Sequence, residues 1–378
     1  MRVNKWTWGL AAAGLVSIPS LTQAEEKPSP LLTALSSTTI SGYVDVSAHW
    51  NMGSDNAANP PPYIYNQGKS DGFNLNKVKL RIDRPLDEAQ WSAGYRADLL
   101  FGPDANIFRT QSTGIPADFA IQQAYVALRA PVGNGLDLKM GVFDSIIGYE
   151  SHDNGANPNY TRSYGTTIEP HTHTGLLATY QVLDSLGVAF GIANSLTPQI
   201  NSRSPRAESQ KAYMASAAIT VPESAGFLAG STIYAGVVEG FNGDPTDNQS
   251  NWYLGATLNT PVTGVKIGAA FDYADDLAGF GGAIARTYAA YASFQTTEKL
   301  SLHARLEFAD NLPFTVARGD ILALTGTVQY DLWRNVLSRV ELRWDHSASG
   351  NDQFGGSTAG APNRKNDYLL AANLIYRF

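Results

Sequence analysis

The chain has 378 residues, no cysteine, and 27 Lys and Arg against 34 Asp and Glu, a formal charge of −7. Lack of cysteine excludes disulfides and thiolate metal sites, and the acidic balance argues against a nucleic-acid partner, which would want a basic surface. Charged residues make up only 16% of the chain, against about 25% in ordinary globular proteins, while Tyr, Phe, Trp and Gly are plentiful.

The first residues have the order of a signal peptide. Arg2 and Lys5 form a short basic segment, an apolar stretch runs from Trp6 to Leu21, and Thr22-Gln23-Ala24 puts small side chains where a signal peptidase reads. Cleavage is expected after Ala24, leaving 25–37 as a periplasmic N-terminal segment. Loss of Arg2 and Lys5 takes the mature charge from −7 to −9. No later run of about 20 apolar residues follows, so no membrane helix is expected.

From residue 38 onward the dominant period is two. In 76–84, Val78, Leu80 and Ile82 alternate with Lys77, Lys79, Arg81 and Asp83. Residues 263–273 put Val265, Ile267, Ala269, Phe271 and Tyr273 on one face. In 300–308, Leu302, Ala304 and Leu306 alternate with His303, Arg305 and Glu307, and in 336–345 Val340, Leu342 and Trp344 alternate with Arg339, Glu341 and Arg343. Such alternation is a strand signal, and strands of about 9–11 residues match a tilted bilayer crossing. Continued along the chain, the pattern gives about 16 strands and no convincing helix. Their connections alternate between short turns, such as Pro131-Val132-Gly133-Asn134 and Thr296-Thr297-Glu298-Lys299, and long polar segments. In the last strand Tyr368, Leu370, Ala372, Leu374, Tyr376 and Phe378 share a face and Phe378 ends the chain, as in the signal read by the outer-membrane assembly machinery.

These features predict an all-β fold, a transmembrane antiparallel β-barrel over 38–378 with short periplasmic turns and long extracellular loops, in a Gram-negative outer membrane. Without long apolar helices, only a closed sheet pairs every backbone polar group in hydrocarbon. About 16 strands leave an aqueous lumen. Charges on the lipid face would cost about 2–4 kcal/mol each near the midplane, so Lys77, Lys79, Arg81, Arg96, Arg129, Lys139, Arg305, Arg339 and Arg343 are expected to line the pore. The longest connection, 144–172, is the third long one. It is the candidate constriction loop, carrying Glu150, Asp153, Tyr160, Arg162 and Tyr164, with residues 146–166 narrowing the lumen and Glu150, Asp153 and Arg162 facing the basic wall.

The expected function is passive diffusion of small hydrophilic solutes, with outer-membrane lipid and those solutes as partners. A channel selective for anions or sugars and a non-conducting structural barrel or adhesin are the alternatives. His171 and His173 would share one strand face, but no third ligand accompanies them, so no metal is expected. No cofactor and no enzymatic activity are expected, since no G-x-S-x-G, H-E-x-x-H or phosphate-binding glycine loop occurs.

The stretch GYESHDNGANPNYTRSYGTTIEPHTHTGLLATY, residues 148–180, resembles the central region of the β-barrel porin type 2 family. ISGYVDVSAHWN at 40–51 and NLNKVKLRIDRPLDEAQWSAGYRADL at 74–99 are similar to its opening hairpin, and the resemblance extends over essentially the whole mature chain. It implies an outer-membrane porin, and barrels of this size commonly form homotrimers. The P-E-F-G-G loop motif of general porins is absent.

Overall fold

A computed structural model describes residues 37–56, 58–61, 69–115, 117–204, 210–243, 248–275, 277, 283–312 and 319–378. The expected signal peptide at 1–24 and nearly all of the segment at 25–37 lie outside the described residues. The strands are β1 (Thr39–Asn51), β2 (Gly72–Arg84), β3 (Ala93–Phe101), β4 (Phe119–Ala130), β5 (Leu136–Asp144), β6 (Thr172–Leu183), β7 (Leu186–Ala193) and β8 (Ala212–Thr220). They continue as β9 (Thr232–Phe241), β10 (Asn248–Asn259), β11 (Val265–Ala274), β12 (Ala285–Gln295), β13 (Leu300–Leu312), β14 (Gly319–Trp333), β15 (Val336–Ser347) and β16 (Asn366–Arg377). Each pairs antiparallel with its sequence neighbour, and β1 pairs with β16 to close the barrel. Phe378 exchanges two 3.0 Å backbone hydrogen bonds with Gly42, extending the seam to the last residue.

Side-chain alternation sets the two faces. Phe73 is 90% exposed, Met140 72% and Phe190 60%. In water such side chains would be an anomaly, but on the outside of a barrel they contact lipid. On the other face, Lys77, Lys79, Asp98, Arg305, Glu307 and Arg343 are all buried. Buried charge beside exposed Phe and Met is the inverse of a soluble sandwich.

Two findings differ from the sequence reading. Short helices occur in the connections: α1 (Ala105–Phe108) and α2 (Tyr164–Ile168), the second capped by Ser163, whose hydroxyl accepts from the Thr166 amide. One turn of helix carries too little periodicity to be read from sequence. The inner wall is also not polar throughout. Leu177, Ala189, Ala193, Met214, Tyr234, Val238 and Tyr253 point inward from β6 to β10 and form one apolar cluster with Ile146 and Ile147 of the long connection. An inward strand face can be apolar because a loop, not water, covers it.

Candidate functional site

The segment after Asp144 crosses the barrel interior. Its root is apolar. Ile146 and Ile147 pack on Met214, Tyr234 and Val238, and Tyr149 stacks on Tyr291 at 4.0 Å between ring centroids. Tyr234, Tyr253 and Tyr291 are each 5% exposed, so these inward tyrosines pack the loop rather than pave an open track.

Beyond Tyr149 the loop is held by charged side chains that reach its backbone. Arg305 Nη1 donates to Glu150 Oε1 at 2.7 Å and to the Thr161 carbonyl at 2.8 Å, and its Nε donates to Glu307 at 2.6 Å. Arg343 donates to the Arg162 carbonyl at 2.7 Å and to Asp345. Arg339 reaches the carbonyls of Asn154 and Asn157 at 3.0 and 2.5 Å, and Arg377 reaches that of Gly155 at 2.7 Å. The acids hold the amides. Glu341 accepts from the Tyr160 and Thr161 N–H groups at 2.6 and 2.9 Å, Glu307 from that of Tyr164 at 2.7 Å, and Glu150 from that of Ser163 at 3.0 Å. An irregular segment away from water has backbone groups that must be paired, and β13, β15 and β16 supply the pairs.

On the facing wall, Asp153 bridges Lys79 at 2.5 Å and Arg81 at 3.2 Å, and Lys77 donates to the His152 carbonyl at 2.9 Å. Burial alone would raise the Asp153 carboxyl, but Lys79 and Arg81 outweigh it and hold it well below the usual carboxylate range. Asp45 accepts from Asn76 at 2.8 Å, from Asn373 at 2.6 Å and from Asn154, joining the loop to β1, β2 and β16. The Tyr160 hydroxyl lies 2.6 Å from His49 and 3.0 Å from Ser47. The Tyr164 hydroxyl donates to Asp345 at 2.6 Å while its ring lies under the Arg343 guanidinium, and Arg162 donates to Asn154 Oδ1 at 2.7 Å.

The structure therefore places the nine basic positions in two groups. Lys77, Lys79, Arg305, Arg339 and Arg343 point inward but are buried under the loop, each no more than 2% exposed. Arg81, Arg96, Arg129 and Lys139 point inward and are partly exposed. Arg96 pairs with Asp83 at 2.8 Å, and Arg129 grips Asp137 with two 2.6 Å bonds. Lys139 lies 5.0 Å over the Tyr125 ring and, among the described residues, forms no ion pair. Glu150, Asp153, Tyr160, Arg162 and Tyr164 all sit on the crossing segment. Asp45, Ser47 and His49 have inward positions on β1 that follow from the alternation, whereas Asn76 is turned inward beside Lys77 by a register shift opposite Asp45 and Val46 that alternation does not show. Glu307 and Glu341, which the alternation already put on the inner face, hold loop amides, and Asp345 holds Arg343 and the Tyr164 hydroxyl.

His171 and His173 do not share a strand face, because β6 begins at Thr172. His173 lies 3.4 Å from Ser145 Oγ, while His171 packs on His152 and Phe108. Burial lowers His171 to about 4. No group of three acidic or histidine ligands occurs among the described residues.

The family model described as "Putative beta-barrel porin-2, OmpL-like" matches residues 37–378. No curated protein matches the sequence. Among solved structures, the anion-selective porin from Comamonas acidovorans superposes with a TM-score of 0.58 at 14% identity, covering 90% of this chain and 99% of that one. Salmonella typhi OmpF, in complex with daunomycin, gives 0.59 at 10% identity, covering 90% and 97%. The trimer form of Vibrio cholerae OmpT gives 0.54 at 10% identity, covering 90% and 99%. At these identities the likeness is one of fold.

Proposed function

The chain belongs to the beta-barrel porin-2, OmpL-like family of outer-membrane channels for small solutes, and we propose that residues 145–171 form its constriction and that the solutes passed are preferentially anionic. The observation that carries the first part is the clamp. Backbone groups from Asn154 to Tyr164 are held by Arg305, Arg339, Arg343, Glu307 and Glu341, which spread over β13 and β15. A surface loop needs no such wall, since water would pair its backbone.

Selectivity would lie on the other wall. With Asp98 and Asp153 committed to Lys79 and Arg81, and Asp83 and Asp137 to Arg96 and Arg129, Lys139 is the partly exposed inward cation of β2–β5 that forms no ion pair among the described residues, while Lys77, also without one, is buried against the His152 carbonyl. A fixed charge beside a narrow aqueous path favours the opposite ion. A homotrimer is proposed as well, supported by the trimer form recorded for one structural neighbour. Lipid contact and recognition of Phe378 by the assembly machinery complete the reading, supported by the apolar outer face and the Phe378 seam.

Planar-bilayer recording tests both parts. Removing residues 149–166 should raise single-channel conductance; an unchanged value in a folded barrel overturns the constriction, and no conductance in the intact protein indicates a plugged barrel. Under a salt gradient the reversal potential should report an anion preference, which Lys139→Glu reduces or inverts. A cation preference in the unaltered protein overturns the selectivity.

A further inference from the structure

The C-terminal root of the crossing loop brings two carboxyl groups together, and among the described residues no basic side chain forms an ion pair with either. Glu169 follows α2, where its backbone N–H caps the Gly165 carbonyl at 3.1 Å. Asp272 points inward from β11 and is 4% exposed. One of its oxygens accepts from the Thr287 hydroxyl at 3.1 Å; the other, Oδ1, is buried with no donor. The Glu169 carboxyl is in hydrogen-bonding contact with that of Asp272. Two ionised carboxylates would repel there, whereas one shared proton makes an O–H···O bond and supplies the donor that the Asp272 carboxyl lacks.

The loop is shaped around this contact. A Cβ on Gly148 would lie 2.4 Å from Glu169 Oε2, and one on Gly165 would lie 2.3 Å from Asp272 Oδ2. Gly148 also has φ +119°, a conformation other residues rarely adopt. The two carboxyls therefore meet only when the loop is seated. Other groups facing the pair cannot discharge it. Glu150 and Glu307 add negative charge, Tyr253 and Thr287 contribute neutral hydroxyls, and the Asn251 amide is taken up by the Ile168 carbonyl at 2.7 Å. Arg162 supplies an opposing charge, the smallest of the influences on Glu169, with its Nη2 donating to Asn154 Oδ1.

We propose that Glu169 and Asp272 form a proton-bridged latch that seats the constriction loop on β11, so that the loop loosens as pH rises. The inference rests on reading 145–171 as the constriction. Burial first, and Asp272 second, hold the Glu169 carboxyl protonated well above the usual range. The seated loop thus binds the proton more tightly than the free loop. Seating is fully favoured below the ordinary carboxylate value of about 4.3 and weakens by up to about tenfold per pH unit above it, until the raised value is passed.

The test is single-channel recording from pH 5 to 9 on the intact protein, Glu169→Gln and the 149–166 deletion. Glu169→Gln keeps a neutral hydrogen-bonding group and so keeps the fold. The intact channel should open more often or more widely as pH rises, and Glu169→Gln should abolish that dependence. Infrared spectra of detergent-solubilised protein should contain a carboxylic-acid carbonyl band that persists above pH 5 and disappears in Glu169→Gln. If the deletion leaves conductance unchanged, the constriction reading itself falls. If the deletion raises conductance but Glu169→Gln keeps the intact protein's pH dependence, or the intact channel shows none, the latch falls alone. Absence of the infrared band also overturns it.

Discussion

Replacing Arg305 by Met removes the centre of the loop clamp while nearly conserving its length and bulk. Arg305 is fully buried, ion-paired with Glu150 at 2.7 Å and Glu307 at 2.6 Å, and bound to the carbonyls of Thr161 and Arg162. The substitution leaves two buried carboxylates with one fewer cation. Breaking a buried pair from one side costs about 3–5 kcal/mol, because the remaining charge stays desolvated. Neither acid is left bare. Glu150 still accepts from the Ser163 amide, and Glu307 from Tyr164 with Arg343 at 3.9 Å, so the lower half of that range applies. About 3 kcal/mol raises the ratio of unseated to seated loop by roughly two orders of magnitude, at about 1.4 kcal/mol per factor of ten. The barrel should persist, because strand pairing on β13 runs through backbone groups that Arg305 does not supply. Single-channel recording should therefore show a folded pore with far more frequent excursions to a wider state. Adding Glu150→Gln should recover part of the loss, because the second substitution removes one of the stranded charges. A folded Arg305→Met channel with unaltered conductance and noise would refute the clamp. A double variant worse than the sum of the singles would refute the ion pair as its centre.

The remaining predictions concern acid stability and the two faces of the wall. Asp153 has a depressed carboxyl, so its hold on Lys79 and Arg81 is present above the ordinary carboxylate range and is lost only as pH falls through the lowered value. Asp153→Asn should remove that hold at neutral pH, and the extra channel noise it causes should not grow further on acidification to pH 4. Phe190→Lys, on the lipid face of β7, should lower barrel stability in detergent unfolding by about 2–4 kcal/mol if Phe190 lies near the midplane. An equal loss on replacing its inward neighbour Ala189 by Ser would contradict the facing assigned to β7.

How much the sequence disclosed depended on whether a feature repeats. Strand number and facing were legible because alternation recurs along most strands, faintest in β8 and β9 where Ala and Gly blur both faces, and a slip by one residue would turn Lys77, Lys79 and Arg81 into lipid. The destination of those charges was not legible. Alternation places Arg305, Arg339 and Arg343 on the inner face but is silent about what occupies the space before them, and what they reach there includes the main-chain carbonyls of Asn154, Asn157, Thr161 and Arg162. Any residue offers a carbonyl, so no side-chain pattern marks the recipient segment. The same gap explains why β6–β10 could carry an apolar inner face unnoticed. Ile146 and Ile147 look like an ordinary strand extension until the loop turns inward and covers Met214 and Val238 with them. What the composition does fix is the consequence. Once the loop's backbone is paired with β13, β15 and β16, its Asp153 with Lys79 and Arg81, and its Glu150 with Arg305, most of the basic charge named on the inner wall is spent on holding the loop. On β2–β5 the charge free to act on a solute is then chiefly that of Lys139, beside the paired but partly exposed Arg81 and Arg96. A selectivity change produced by substituting Arg339 or Arg343 should accordingly come with a change in pore size, whereas one produced at Lys139 should not.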